Sequence, residues 1–264
     1  MKKQLITFLF AIMILSCVCS GCKSYDNALE HIIGTKIINI GLRGGDEPMC
    51  FTKSGELIGL TVDIGNELAA RLGATAQFFE LGEDEALEAL TSGKIDCYLN
   101  FLPGGRKELA NFAWSDGRLK RRQVVVVMAG SPYNRLVDLK GYTVTTVPGT
   151  DAADALQAAE EFRAGIGALS NADNFDAALR QLIGGKAHGF AADEYYFMSK
   201  TKSFAASYHI IDTPLRESSY VTVFAPRENE LKDRFDLLYS SMANDGTWEK
   251  ILEKWLGSQW PKAE

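Results

Sequence analysis

An arginine, an asparagine and an aspartate stand in this sequence where strand ends would present them to a small molecule. Arg43 follows the strand-like run Ile37-Ile38-Asn39-Ile40 and precedes the turn Gly44-Gly45-Asp46. A guanidinium placed there can hold a carboxylate by two parallel hydrogen bonds, with a plain surface ion pair as the alternative. Asn100 and Asp193 end two units of the same design. In the first, the helical stretch Ala86-Leu87-Glu88-Ala89-Leu90 stops near Gly93 and leads through Lys94 into the apolar run Ile95 to Leu99, with Asn100 at its far end. In the second, Phe175 to Ile183 stops at Gly184-Gly185 and leads through Lys186 into Gly189 to Ala192, with Asp193 beyond it. Such groups suit the capture of a charged solute better than a reaction. No nucleophile and base stand at a recognisable spacing, and His31, His188 and His209 are scattered without ligand spacing, so neither a metal nor a cofactor is expected.

Helices alternating with short apolar strands imply parallel sheets with right-handed crossovers. Two such units about ninety residues apart predict two similar α/β lobes, with Asn100 and Asp193 aimed at one cleft beyond the carboxyl ends of the strands. A helix is predicted from Thr61, capped by Asp63, carrying Ile64, Leu68 and Leu72 and stopped by Gly73. The valine run Arg122 to Met128 reads as a strand passing between lobes. Thr143 to Val147 reads as a second-lobe strand, leading through Pro148-Gly149-Thr150-Asp151 into a helix. The chain crosses back near Ile211 to Pro214, and Tyr220 to Phe224 returns a strand. Two core-packing helices follow, lined by Phe235, Leu238 and Met242 and by Trp248, Ile251, Leu252, Trp255 and Leu256. The basic cluster Arg118, Lys120, Arg121 and Arg122 reads as a solvated face, with a docking patch for a membrane partner as the alternative.

The N-terminus sets the compartment. Lys2 and Lys3 precede an apolar run from Leu5 to Cys19, shorter than the roughly 20 residues of a membrane span and suited to an export signal. Ser20-Gly21-Cys22 resembles the lipobox of bacterial lipoproteins. Residues 1–21 are therefore expected to be cleaved and Cys22 lipidated, with Cys17 the rival site and an ordinary secretory signal the alternative. Residues 22–35 read as a tether. The chain is acidic, with net charge −6, which argues against nucleic acid as a partner. No later run is long enough to span a bilayer, so the N-terminal lipid is the only membrane contact expected. Cys50 and Cys97 read as two buried thiols, with a disulfide as the other possibility.

A series of landmarks in order resembles the family 3 extracellular solute-binding proteins, the amino-acid-capturing components of bacterial ABC importers. They are Gly59-Leu60-Thr61-Val62-Asp63-Ile64, Lys94-Ile95-Asp96, Phe112-Ala113-Trp114-Ser115-Asp116, Asp138-Leu139-Lys140-Gly141, Gly149-Thr150, and Asp245-Gly246-Thr247 with Lys254-Trp255-Leu256-Gly257. The resemblance implies an α/β, two-lobed periplasmic-binding-protein fold of type II, hinged on two crossover strands. Lobe 1 would comprise 36–125 and 216–264, and lobe 2 would comprise 126–215.

The resemblance also implies roles. A ligand carboxylate would rest on the helix start at Thr150 and Asp151, and Asp193 would take the ligand ammonium; a plain N-cap there is the simpler account. Arg43 resembles the clamp that holds a side-chain carboxylate in members taking acidic amino acids. Asn100, Phe101 and Leu102 would line the cleft from the first lobe. The arginine that usually grips the α-carboxylate falls on Glu108, leaving Arg106 as its substitute. The usual aromatic sandwich falls on Asp46 and Glu83, and a carboxylate at Glu83 suits a cationic ligand where Arg43 suits an acidic one. The expected protein is a monomeric, lipid-anchored binding protein that delivers an amino acid or related carboxylate to an ABC permease. A dehydratase on the same scaffold, or a ligand presenter to a separate sensor, are the alternatives.

Overall fold

A computed structural model describes residues 27–101 and 107–257. The segment read as a tether contains a helix, α1 (Ala28–Thr35), capped by the Asn27 side chain, which accepts from the Glu30 amide at 2.9 Å. Its anchor is Ile32, fully buried in the first core. One buried residue in so short a helix leaves little period for a sequence to reveal.

The first lobe is built on β1 (Ile37–Leu42), flanked in parallel by β4 (Thr75–Glu80) and β5 (Cys97–Phe101), with Ile40 facing Phe78 on one side and Cys97 on the other. The hairpin of β2 (Phe51–Lys53) and β3 (Glu56–Ile58) and the helices α2 (Leu60–Arg71) and α3 (Glu83–Thr91) make the crossovers. Ile38, Ile40 and Leu42 pack with Ile64 and Leu68 of α2 into one buried cluster.

The strand read as Arg122 to Met128 starts nine residues earlier, as β6 (Ala113–Met128). Its polar first half carries no apolar alternation, which is why the sequence showed only the valines. The second lobe adds β7 (Thr143–Thr146), β8 (Ala168–Asn171), β9 (Gly189–Asp193) and β10 (Tyr208–Ile210), and the chain returns through β11 (Arg216–Phe224). The sheet order is β4-β1-β5-β11-β6-β9-β7-β8, with β10 paired to β6. β6 and β11 run antiparallel across both lobes: Val221–Phe224 face Asp116–Ala113, and Arg216–Ser219 face Gln123–Lys120. A register shift between Ser219 and Val221 marks the passage. Two lobes joined by these two strands form the expected type II arrangement.

Period-two alternation divides the valine run between two layers. Val124 and Val126 pack with Ala178 and Leu182 of α6 (Phe175–Ile183) and with Phe190; Val125 and Val127 pack on the other face with Val144 and with Leu156 of α4 (Asp151–Ala158). α5 (Glu160–Gly165) and α7 (Glu194–Thr201) complete the second lobe. α8 (Asn229–Asn244) and α9 (Thr247–Leu256) bury Phe235, Leu238, Met242, Trp248, Leu252 and Leu256 in the first, as expected. Asp63 does not cap α2, whose N-cap is Gly59; its Oδ2 accepts from Lys254 Nζ and Trp255 Nε1, both at 2.6 Å. Cys50 and Cys97 are buried free thiols. Among the described residues no helix is long and apolar enough to cross a membrane.

Candidate functional site

Beyond the end of β1 the chain makes a tight loop in which Asp46 and Cys50 exchange both backbone hydrogen bonds, at 2.9 and 2.8 Å. The start of α2 holds this loop from below, where the Leu60 amide donates to Pro48 O and the Thr61 amide to Met49 O, each at 2.9 Å. Glycine is required at 59: its φ is +145°, and a Cβ there would lie 2.2 Å from Met49 O. Thr61 Oγ1 in turn accepts from Asn100 Nδ2. Asn100 has φ +55° at the end of β5, a left-handed conformation that asparagine tolerates better than most residues.

The opposite wall is the start of α4. Thr150 is its N-cap, with Oγ1 donating to Val147 O at 2.7 Å and accepting from the Ala153 amide at 3.3 Å. The floor comes from β6 and β9. Gln123 of β6 and Asp193 of β9 are direct cross-strand partners, so both side chains stand on one face, and Arg121 shares that face two residues away. These elements enclose a cavity of about 620 Å³. Gly45, Asp46 and Glu47 line it from one lobe; Gly149 to Ala152, Asp173 to Phe175, Asp193 and Tyr196 line it from the other.

The charges are already engaged with one another. Asp193 Oδ2 accepts from Arg121 Nε at 3.1 Å and from Gln123 Nε2 at 2.8 Å, while its Oδ1 accepts from the Tyr196 amide at 3.1 Å. Arg121 also reaches Asp151 Oδ2 at 2.8 Å, and Arg216 approaches the same carboxylate at 3.9 Å. Burial pushes the Asp46 pKa above the usual carboxylate range, against the pull of Arg121 and Arg43 and with added repulsion from Asp193 and Asp151.

The structure thus brings Asp46, Thr150, Asp151 and Asp193 together around one cavity. Arg43 turns onto the loop, with Nη2 at 3.3 Å from Asp46 Oδ2, and its side chain is 41% exposed. Asn100 points back at Thr61 and Glu83 is the first residue of α3, and neither lines the cavity; the backbone of Phe101 ends β5 opposite Val221. Leu102 and Arg106 lie outside the described residues, as does Cys22.

The sequence reading missed Arg121 and Gln123, because it took the basic cluster as one solvated face. On a strand, neighbours point to opposite sides. Arg121 enters the cavity. Lys120 pairs with Glu217 at 2.8 Å, and Arg122 pairs with the buried Glu194 at 2.8 Å on the rear face. Burial raises the Glu194 pKa to about 7, against the pull of Arg122. Adjacent residues therefore make parallel ion pairs on both faces of the joining strands: Arg121 with Asp193, and Arg122 with Glu194.

A family model of bacterial extracellular solute-binding proteins, family 3, matches residues 38–258. The arginine-binding extracellular protein ArtP of Bacillus subtilis (strain 168) is 23% identical over 265 residues, covering 97% of this chain and 98% of that protein. The L-cystine-binding protein TcyA of the same organism is 24% identical over 272 residues, with 97% and 98% covered. Among solved structures, a polar amino acid ABC uptake transporter substrate binding protein from Streptococcus thermophilus matches with TM-score 0.81 at 19% identity, covering 88% of this chain and 90% of its own. The L-cystine solute receptor of Neisseria gonorrhoeae, in its unliganded open conformation, matches with TM-score 0.73 at 20% identity, covering 88% and 98%. Two lobes on two crossing strands, a cavity at their junction lined by Asp46, Arg121, Asp151 and Asp193, and a family match spanning both lobes lead to one conclusion: this chain belongs to the bacterial extracellular solute-binding proteins of family 3.

Proposed function

We propose that this protein captures an amino acid between its lobes outside the cytoplasm and delivers it to the permease of an ABC importer. The observation that carries this reading is the cavity at the lobe junction, with Asp46 on one wall and Thr150 and Asp193 on the other. Closure of 36–125 with 216–264 onto 126–215, bending at β6 and β11, would exclude water from that space. A ligand touching both walls stabilises the closed form by its differential affinity for it. The ligand ammonium is assigned to Asp193. Its carboxylate is assigned to the first turn of α4, where unpaired amides and the helix dipole favour an anion. Cys22 is the proposed lipid anchor, and the working unit is a monomer. Both named relatives are binding proteins, which supports a binder over an enzyme on this scaffold.

Arg43 gives an acidic side chain less support than the sequence implied, since its guanidinium already pairs with Asp46. The test is a thermal-shift screen of the wild-type protein against amino acids, dicarboxylates and polyamines, repeated on Asp193→Ala. At least one amino acid raises the wild-type melting temperature, and the substitution abolishes that rise. A wild-type protein indifferent to every amino acid offered overturns the reading, and an unchanged rise in the variant removes Asp193 from the site.

A further inference from the structure

Asp173, Phe175 and Tyr196 line the cavity from the second lobe. Two helix starts place them there. Asn174 caps α6, its Oδ1 accepting from the Ala177 amide at 2.9 Å, so Asp173 immediately precedes the cap and Phe175 opens the helix. Tyr196 stands in the first turn of α7, where its amide bonds Asp193. The Phe175 and Tyr196 rings meet edge to face, with centroids 5.2 Å apart and planes at 89°. The buried rings of Phe190 and Phe197 lie 5.4 and 5.8 Å from Phe175 and hold the corner in place. Phe175 and Tyr196 themselves are only half-buried. The second lobe thus presents aromatic surface to the cavity, whereas the positions where the family resemblance puts rings carry Asp46 and Glu83 in the first.

The charges around this corner narrow the side chain it suits. Four of the five carboxylates lining the cavity already have a cation. Asp46 has Arg43 at 3.3 Å, Glu47 has Lys200 at 2.7 Å, and Asp151 and Asp193 share Arg121 at 2.8 and 3.1 Å. Asp173, which is exposed, pairs with no cation among the described residues. Lys200 Nζ, neutralised by Glu47, lies 5.2 Å from the Tyr196 ring centroid, so one cation already rests on this ring. An aromatic corner beside an unmatched carboxylate suits an apolar stem that ends in a positive charge. The stem covers ring surface, and the charge meets both the ring quadrupole and the carboxylate. A carboxylate just before a helix also complements that helix's dipole, which is the plainer role to be separated by experiment.

We propose that Asp173, Phe175 and Tyr196 form the side-chain subsite of the cavity and select amino acids whose side chain is an apolar stem ending in a positive charge. The proposal rests on the proposed function and deepens it: Asp193 and the first turn of α4 hold the amino acid's backbone groups, and this corner reads its side chain. Phe175 and Tyr196 favour the stem whatever its end carries, and Asp173 distinguishes a charged end from a neutral one.

The experiment is isothermal titration calorimetry of the full chain with the standard L-amino acids and L-ornithine. Two neutral counterparts are added: L-norleucine, which is lysine without its terminal nitrogen, and L-citrulline, which is arginine with an uncharged end. The tightest ligand should be lysine, arginine or ornithine, and it should bind at least about tenfold more tightly than its neutral counterpart. Asp173→Asn should weaken the cationic ligand about fivefold and leave the neutral counterpart nearly unchanged. Phe175→Leu should weaken both. A neutral or acidic amino acid as the tightest ligand overturns the proposal while leaving capture of an amino acid intact. Equal effects of Asp173→Asn on charged and neutral ligands, or no effect on either, also overturn it, since a carboxylate that only serves α6 cannot tell the two apart. A wild-type protein silent to every amino acid defeats the proposed function, and the subsite with it. Phe175 packs against the second core and its variant may not fold; the wild-type comparison and the exposed Asp173 then decide alone.

Discussion

Replacing Arg121 with methionine removes a guanidinium while keeping most of the stem that fills its space. The arginine side chain is 13% exposed, and its partners Asp193 and Asp151 are 23% and 46% exposed. Losing one member of a fully buried pair costs about 3–5 kcal/mol and losing an exposed pair about 0–1, so a half-sheltered pair should cost about 2 kcal/mol. For a chain of this length that corresponds to a fall in melting temperature of roughly 4–8 °C. The loss should depend on pH, with a defined sign. Asp46 already has a raised native pKa, so below its unfolded value its contribution to stability is whole, and it fades as pH rises through the native value. Arg121 pulls that pKa down; without it the value climbs further and more stability is forfeited near neutrality. Thermal unfolding by circular dichroism at about pH 5 and about pH 7.5 should therefore show a smaller deficit, variant against wild type, at the acidic value. Equal deficits at both, or none at either, would refute the claim that Arg121 holds three carboxylates together.

Gly59→Ala should cost about 2–4 kcal/mol, combining a backbone conformation open almost only to glycine with the 2.2 Å approach to Met49 O. Because the displaced loop carries Asp46, ligand-induced stabilisation should shrink as well. Scanning calorimetry decides, and an unchanged melting temperature would show that the approach relaxes freely. Burial pushes the Cys50 thiol up to about 12 and the Cys97 thiol well above its ordinary value. At about pH 8 neither is appreciably ionised, so in the folded protein both should resist Ellman's reagent until denaturant is added. Peptide mapping that finds rapid labelling of either one contradicts that burial.

The architecture was legible because its signals were periodic. Both helix–glycine–strand units appear where expected, and Phe175–Ile183 is a helix with those very ends. The valine run and the Trp248, Leu252 and Leu256 stripe announced buried faces by spacing alone. Asp193 and Thr150 could be placed because each ends or begins an element whose apolar residues were visible. Arg121 and Gln123 could not, because the polar half of β6 has no hydrophobic alternation to declare it a strand, and only a strand separates Arg121 from Arg122. The choice between the two readings of Arg43 was not legible for another reason: whether a guanidinium faces a ligand or pairs with Asp46 is decided by the loop from 44 to 50. That loop is shaped by Gly59 and α2, and nothing local to Arg43 records it. The same holds for Asp63, which three residues of local pattern offered as a cap and which α9, nearly two hundred positions later, claims instead.

The place of β11 between β5 and β6 has a consequence for assembly in time. The first lobe's sheet stays split until Arg216–Phe224 has been made, since that strand bonds its two halves to each other. β7, β8 and β9 and their helices, in contrast, are contiguous in the chain and need only the latter part of β6 beside them. In chain order, the second lobe's strands β7, β8 and β9 are thus complete before the strand that joins β5 to β6 has been reached.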